Sequence, residues 1–161
     1  MKTSKKLMLS IGIAYILLIV LDFLDRELYP NLFFAPTLFS LAINVSLKTS
    51  FIKQVAFTIL SVCIFIFSFF IVMINAYYGP KLGFVILGTT IGALLEIVTF
   101  SWLYSGISKL TIKHLWLGFI IGALSFSIPI ILIGDYHFFG NAFWYSGVAY
   151  VIFNIYKTNE K

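Results

Sequence analysis

The feature that most constrains this chain is an apolar run at positions 82–104, which reads LGFVILGTTIGALLEIVTFSWLY. As a helix this run is long enough to cross a bilayer, because about 20 apolar residues span the roughly 30 Å of hydrocarbon. Gly88, Gly92 and Glu96 recur every four residues and therefore share one helical face. Glycines at this spacing let a neighbouring helix approach closely. A charge near mid-membrane costs about 2.5–3.5 kcal/mol, so we expect Glu96 to have a partner or a function.

The composition extends this interpretation to the whole chain. Apolar residues make up 61% of the sequence and charged residues 11%, whereas soluble proteins have about 45–50% and about 25%. We therefore predict an all-α integral membrane protein, a compact bundle of six transmembrane helices that forms a single domain over residues 1–161 without a soluble domain. The six predicted spans are residues 7–24, 32–47, 54–78, 82–104, 115–133 and 142–156.

The basic residues predict the orientation of these spans. Nine of the 11 Lys and Arg residues fall on one side of the six spans, and two, Arg26 and Lys81, fall on the other. Since Lys- and Arg-rich loops stay in the cytoplasm, both termini are predicted to be cytoplasmic, in a multi-pass protein of a bacterial inner (cell) membrane. The first apolar segment is long for a signal peptide and no cleavage motif follows it, so we expect an uncleaved helix. The second span is expected to be short and kinked at Pro36.

Glu96 lies about eight residues, or roughly 12 Å, inside the cytoplasmic end of its predicted span. The same depth falls at Tyr15 in the first span and close to Ser125 and Ser127 in the fifth. We interpret these four residues as a candidate intramembrane site for a proton or a polar ligand, and a purely structural hydrogen bond is the alternative. No Lys or Arg reaches that depth, so we expect the Glu96 carboxyl to be neutral. Other polar side chains predicted at this level are Ser40, Asn44, Ser61 and Tyr145.

A second pair of glycines, Gly118 and Gly122, lies in the fifth span. A short loop joins spans four and five, so we expect them to pack as an antiparallel hairpin. Gly88, Gly92, Gly118 and Gly122 are predicted to be helix-packing positions. Free glycine faces also suit contacts between chains, and they favour a homo-oligomer or a partner membrane subunit.

Two rims of polar residues are candidate contact sites outside the spans. Asp22 and Asp25 end the first span, and Asp135 and His137 lie in the last outer loop. They form a candidate outer-rim site, with a solvated acidic rim as the alternative. Their spacing matches no metal motif, so we expect no metal and no other cofactor. On the inner side, Lys109 and Lys113 are expected to attract anionic lipid headgroups. The chain has no basic patch typical of nucleic-acid binding.

Aromatic residues near the ends of the spans are expected to form interfacial belts. Trp144 and Tyr145 belong to the predicted outer belt, and Tyr104 belongs to the inner one. The single cysteine, Cys63, lies in an apolar segment and is expected to be a small buried side chain.

These features favour a non-enzymatic protein, since no catalytic sequence motif is present. The preferred hypothesis is a small membrane protein that binds or translocates a small solute or ion, or that acts as the membrane subunit of a larger complex. One alternative is an oligomeric accessory or defence-type protein that perturbs the membrane. A second is a small enzyme that acts on a lipid or isoprenoid substrate at the outer face. The lipid bilayer is the expected environment in every case.

Overall fold

The computed structural model describes residues 6, 9–13, 16–17, 31–47, 49–77, 82–105, 109–133 and 138–157. All regular secondary structure in these ranges is helical, so the all-α prediction is confirmed. Residues 9–13 and 16–17, from the first predicted span, are helical. The remaining helices are α1 (Asn31–Ser46), α2 (Phe51–Tyr77), α3 (Leu82–Phe100), α4 (Ile112–Ile133) and α5 (Phe138–Lys157), and a π-helical segment, Ser101–Ser105, continues α3.

Two helical stretches in the described part of the chain are long and apolar enough to cross a membrane. They are Phe51–Met73 in α2 and Leu82–Ser105, which joins α3 to the π-helical segment. Phe34–Ser46 and Ile112–Ile128 are apolar but shorter. Six spans and a membrane-embedded bundle therefore stay predictions.

Helix α1 has 16 residues and is the shortest of the five α-helices. It begins at Asn31 and carries Pro36 within it. Proline lacks the N–H that would bond to the preceding turn, so position 36 is a weak point of this helix. The predicted kink is not tested by this observation.

The helices pack mainly with their neighbours in sequence, and α3 also contacts α5. Helix α3 lies at the centre because it packs against α2, α4 and α5. The core consists of large apolar side chains that are completely buried. They include Ile43 from α1, Phe57 from α2, Ile97 and Phe100 from α3, and Val148, Val151, Ile152 and Ile155 from α5.

The glycines of α3 and α4 are packing positions within the chain. A Cβ atom at Gly88 would lie 2.8 Å from the carbonyl oxygen of Ser68 on α2. A Cβ atom at Gly122 would lie 2.5 Å from the Cα atom of Thr90 on α3. Gly92 faces Ser68 and Gly118 faces Ile97. Because these faces contact the chain's own helices, they are not the free surfaces on which the oligomer hypothesis depended.

Helix α4 begins with a capping interaction that includes a histidine. The Thr111 N–H donates to His114 Nδ1 at 3.2 Å, and the His114 N–H donates to the Thr111 carbonyl at 3.0 Å. This is the spacing of a capping box, with histidine in the place of glutamate. The imidazole is neutral because Nδ1 accepts a hydrogen bond, and burial lowers the pKa of His114 below its ordinary value of 6.5.

Candidate functional site

Glu96 is buried in the interior of the bundle, with 2% of its surface exposed. It projects from α3, and its Oε1 atom accepts a short hydrogen bond from the Ser61 hydroxyl on α2. Its other carboxyl oxygen, Oε2, is also buried and has no hydrogen-bond partner among the described residues. The carboxyl therefore has one oxygen that holds two helices together and one that is free to bind something else.

The phenol of Tyr145 is a second buried group without a partner. Tyr145 projects from α5 and is 2% exposed, and within the described ranges its hydroxyl makes no hydrogen bond. It lies close enough to Glu96 for the carboxylate charge to act on it. An unsatisfied buried polar group costs about 1–3 kcal/mol, so two of them near one another require an explanation. A small hydrogen-bonding species in the interior of the bundle can pair with either group.

Three aromatic side chains surround this phenol, and together with Tyr145 they form what we call the aromatic cluster. The ring of Tyr145 packs on Phe39 at 5.0 Å and on Phe65 at 6.0 Å between centroids, and Trp144 contacts all three rings. The Trp144 indole N–H donates to the Thr89 carbonyl at 2.9 Å. The predicted outer belt was wrong for Trp144 and Tyr145, because both side chains are buried against α1, α2 and α3.

A network of polar side chains lies on the other side of Ser61. Tyr104 donates from its hydroxyl to Asn44 Oδ1 at 2.6 Å and to the Lys53 carbonyl at 3.1 Å. Asn44 donates from Nδ2 to Thr58 Oγ1 at 3.2 Å, and Ser40 donates to the same atom at 3.1 Å. We call Ser40, Asn44, Thr58 and Tyr104 the polar network. Asn44 and Ser40 were predicted at the level of Glu96, whereas the contribution of Tyr104 came only from the structure.

Ser125 and Ser127 make no hydrogen bond to Glu96. Their hydroxyls donate to carbonyls of their own helix, at Ile121 and Ala123. Gly118, not residue 123, lies level with Ile97 on α3. That Ser125 and Ser127 lie at the depth of Glu96 stays a prediction.

Several predicted site residues lie outside the described residues, namely Tyr15, Asp22, Asp25, Asp135 and His137. Lys109 and Lys113 are exposed around the start of α4, where no observation tests a lipid contact. Within the described residues, no group of three or more His, Cys, Asp and Glu side chains could hold a metal ion. Cys63 is exposed, so its predicted burial was wrong.

The described side chains also form an apolar groove of about 370 Å³ between α4 and α5. Its lining includes Leu124, Phe143 and Tyr150, and Glu96 is not part of it. The groove therefore does not provide access to the buried carboxyl.

Comparison of the chain with known proteins finds no relative. No family model matches the chain, and no curated protein and no solved structure is significantly similar to it. The function of the chain must therefore be inferred from the geometry around Glu96.

Proposed function

We propose that this chain is a membrane protein of the cell membrane that binds a small polar solute or ion at Glu96, inside a bundle of six spans. The surface of α2 supports the membrane location. Large apolar side chains are exposed along the whole helix, and soluble proteins rarely expose contiguous apolar patches of this kind. These side chains include Phe51, Ile52, Ile59, Phe67, Phe70 and Met73.

The binding proposal is based on two buried groups without partners, the Oε2 atom of Glu96 and the hydroxyl of Tyr145, which lies within range of the Glu96 charge. A carboxyl that served only to join α3 to α2 would need no more than the oxygen that Ser61 already occupies. A bound species that donates to Oε2 or accepts from the phenol would satisfy the remaining groups. No cationic side chain among the described residues acts on this carboxyl, so a bound cation would also compensate its charge.

Neither alternative function gains an observation of this kind. The enzyme hypothesis depends on Asp22, Asp25, Asp135 and His137, which lie outside the described residues. The oligomer hypothesis depended on free glycine faces, and those faces contact neighbouring helices of the same chain. A role as the membrane subunit of a larger complex is compatible with the Glu96 site.

Thermal unfolding in detergent tests the binding proposal. We expect a ligand at 100 times its Kd to stabilise the wild type by about 2.7 kcal/mol. For a chain of this size that corresponds to an increase in Tm of roughly 5–10 °C. The probes are sodium, potassium and ammonium chloride, and a pH series at constant ionic strength. The Tm of Glu96→Gln should not respond to the probe that shifts the wild type, whereas Ser127→Ala should respond like the wild type.

Two results would contradict the proposal. One is a set of probe-induced shifts that are equal in the wild type and in Glu96→Gln. The other is release of the chain from cell membranes by alkaline carbonate, which extracts peripheral proteins and leaves integral ones in the bilayer.

A further inference from the structure

We propose that the ion bound at Glu96 is the proton, and that it reaches the carboxyl from the end of the bundle that carries Lys53, past Tyr104. This inference rests on the proposed function and names its ion and its side of access. Three features around Glu96 support it. They are the few groups that could bind a metal ion with its carboxyl, the aromatic cluster on one side of it and the polar network on the other.

The ligand set around Glu96 is too small for a metal ion. Among the described residues, Oε1 is engaged by Ser61, Oε2 has no hydrogen-bond partner, and the Tyr145 phenol is the unpaired hydroxyl on which the Glu96 charge acts. Calcium takes six to eight oxygen ligands, and magnesium demands an octahedral set. A proton needs one lone pair and no cavity. It also removes the uncompensated charge that makes a buried carboxylate unfavourable.

The titratable groups near this carboxyl are few in the described part of the bundle. Helix α5 presents the Tyr145 phenol, whereas α1 has no titratable residue. Helix α2 contributes Ser61, and its Lys53 lies exposed at the end of the bundle. His114 on α4 is engaged in the cap at Thr111. Glu96 is therefore the group on which a proton would reside.

The aromatic cluster closes the side of Glu96 that faces away from Lys53. Phe65 lies one turn beyond Ser61 on α2, and its ring stacks on Tyr145. The Trp144 ring lies against Gly92, one turn from Glu96 on α3, where a Cβ atom would be 3.4 Å from it. These rings pack with centroids 5.0–6.5 Å apart, so access past them requires several large side chains to move together.

The polar network leads in the opposite direction, from Ser61 to the Lys53 end. Thr58 precedes Ser61 by three residues, so the two hydroxyls share one face of α2. Thr58 accepts from Asn44, and Asn44 accepts from Tyr104. These side chains offer hydrogen bonds to water at each step. Hydronium that enters along them can give its proton to the Glu96 carboxylate, which leaves a neutral carboxyl and a water molecule.

Tyr104 closes the mouth of this route. Its hydroxyl ties Asn44 to the carbonyl of Lys53, and its ring packs on Phe57 and Phe100 at 5.4 and 5.1 Å. Tyr104 belongs to the π-helical segment Ser101–Ser105, a type of segment that occurs frequently at functional sites. When its two hydrogen bonds break, Asn44 and Thr58 become accessible to water.

The experiment measures, by infrared difference spectroscopy, how fast Glu96 responds to a pH jump on one side of sealed vesicles. Bands of the Glu96 carboxyl are assigned by their loss in Glu96→Gln. The orientation of each vesicle preparation is determined by labelling a cysteine at position 53, in Lys53→Cys combined with Cys63→Ala, with an impermeant thiol reagent. We expect the response to be at least about tenfold faster when the pH changes on the side of residue 53 than when it changes on the opposite side. A tenfold ratio corresponds to a difference of ~1.4 kcal/mol between the two barriers.

Two tyrosine variants test the gate. Tyr104→Phe keeps the ring contacts and removes both hydrogen bonds, so we expect the response to become roughly tenfold faster. Tyr150→Phe, at an exposed position on α5, should respond at the wild-type rate. An equal response from both sides would overturn the inference even if Tyr104→Phe did not fold. An unchanged rate in a folded Tyr104→Phe would overturn the gate.

The outcomes separate this inference from the proposed function. If Glu96 gives no pH-dependent band but sodium or ammonium stabilises the wild type and not Glu96→Gln, the proton is the wrong ion and the binding proposal stands. If no probe, including pH, distinguishes the wild type from Glu96→Gln, both proposals fail.

Discussion

Gly122→Ala tests the close contact between α3 and α4 that holds the central helix in place. The added Cβ atom would lie 2.5 Å from the Thr90 Cα atom and 2.9 Å from the Thr89 carbonyl oxygen. Carbon atoms at optimal contact are about 3.5–4.0 Å apart, so the two backbones must separate by roughly 1 Å. The obstruction is backbone, which cannot rotate away like a side chain. The same separation would stretch the hydrogen bond from Thr89 Oγ1 to the Gly122 carbonyl, which is 2.7 Å long.

The expected magnitude follows from two opposing terms. Overpacking of a close contact costs about 1–3 kcal/mol, and replacing glycine by alanine in a helix returns up to about 1 kcal/mol. We expect a net loss of about 1–2 kcal/mol, which lowers the Tm in detergent by roughly 2–8 °C. The loss should appear in thermal unfolding followed by circular dichroism.

Gly83→Ala is the matched control for this substitution. Gly83 lies at the start of α3, and a Cβ atom there would meet nothing within 4 Å. Only the gain in helix propensity remains, so the Tm should rise by roughly 2–4 °C for ~1 kcal/mol. A Gly122→Ala protein as stable as the wild type would refute the packing of α4 on α3, and with it the position of α3 at the centre of the bundle.

Two further substitutions test separate parts of the structure. Trp144→Phe removes the hydrogen bond to the Thr89 carbonyl and should destabilise the protein by about 1–3 kcal/mol, whereas Trp116→Phe, at an exposed site, should have little effect on Tm. Burial lowers the pKa of His114, so the unfolded chain binds a proton at this residue more readily than the folded chain does. The stability that the His114–Thr111 cap contributes is therefore lost as the pH falls below 6.5. His114→Gln keeps a capping acceptor that does not titrate, so the Tm of the wild type relative to His114→Gln should fall between pH 7.5 and pH 5. A constant difference would show that His114 does not cap α4.

The sequence was sufficient to predict where most helices lie, because long apolar runs end at turn residues and charges. The run at 82–104 coincides with α3 and its π-helical extension, which end at Phe100 and Ser105. Gly88, Gly92 and Glu96 share a face of α3 in the structure as their spacing requires. Local periodicity carries this information because it depends only on the geometry of one helix.

The rotation of each helix about its own axis could not be predicted in the same way. A helix that is apolar on every side has no polar face to indicate which residues point inward. Trp144 and Tyr145 were therefore assigned to an interfacial belt, although both are buried. The level of α4 relative to α3 is set by contacts between the two helices, such as Gly118 against Ile97, and the sequence does not show such contacts.

The two roles considered for Glu96 are carried by different oxygen atoms of the same carboxyl. Oε1 accepts from Ser61 and joins α3 to α2, a contact that a glutamine carbonyl would preserve. Oε2 is the atom without a partner, and glutamine would replace it with an NH2 group that can donate a hydrogen bond but cannot bind a proton. Oε2 and the Tyr145 hydroxyl do not hydrogen-bond to each other, so that NH2 group would also have no partner among the described residues, but it would be neutral and less costly to bury than a carboxylate. A protein that needs Glu96 only for cohesion should therefore be as stable with glutamine or more so. A ligand-dependent difference in Tm between the wild type and Glu96→Gln would therefore assign Oε2 to binding, because the contact of Oε1 with Ser61 is preserved in both proteins.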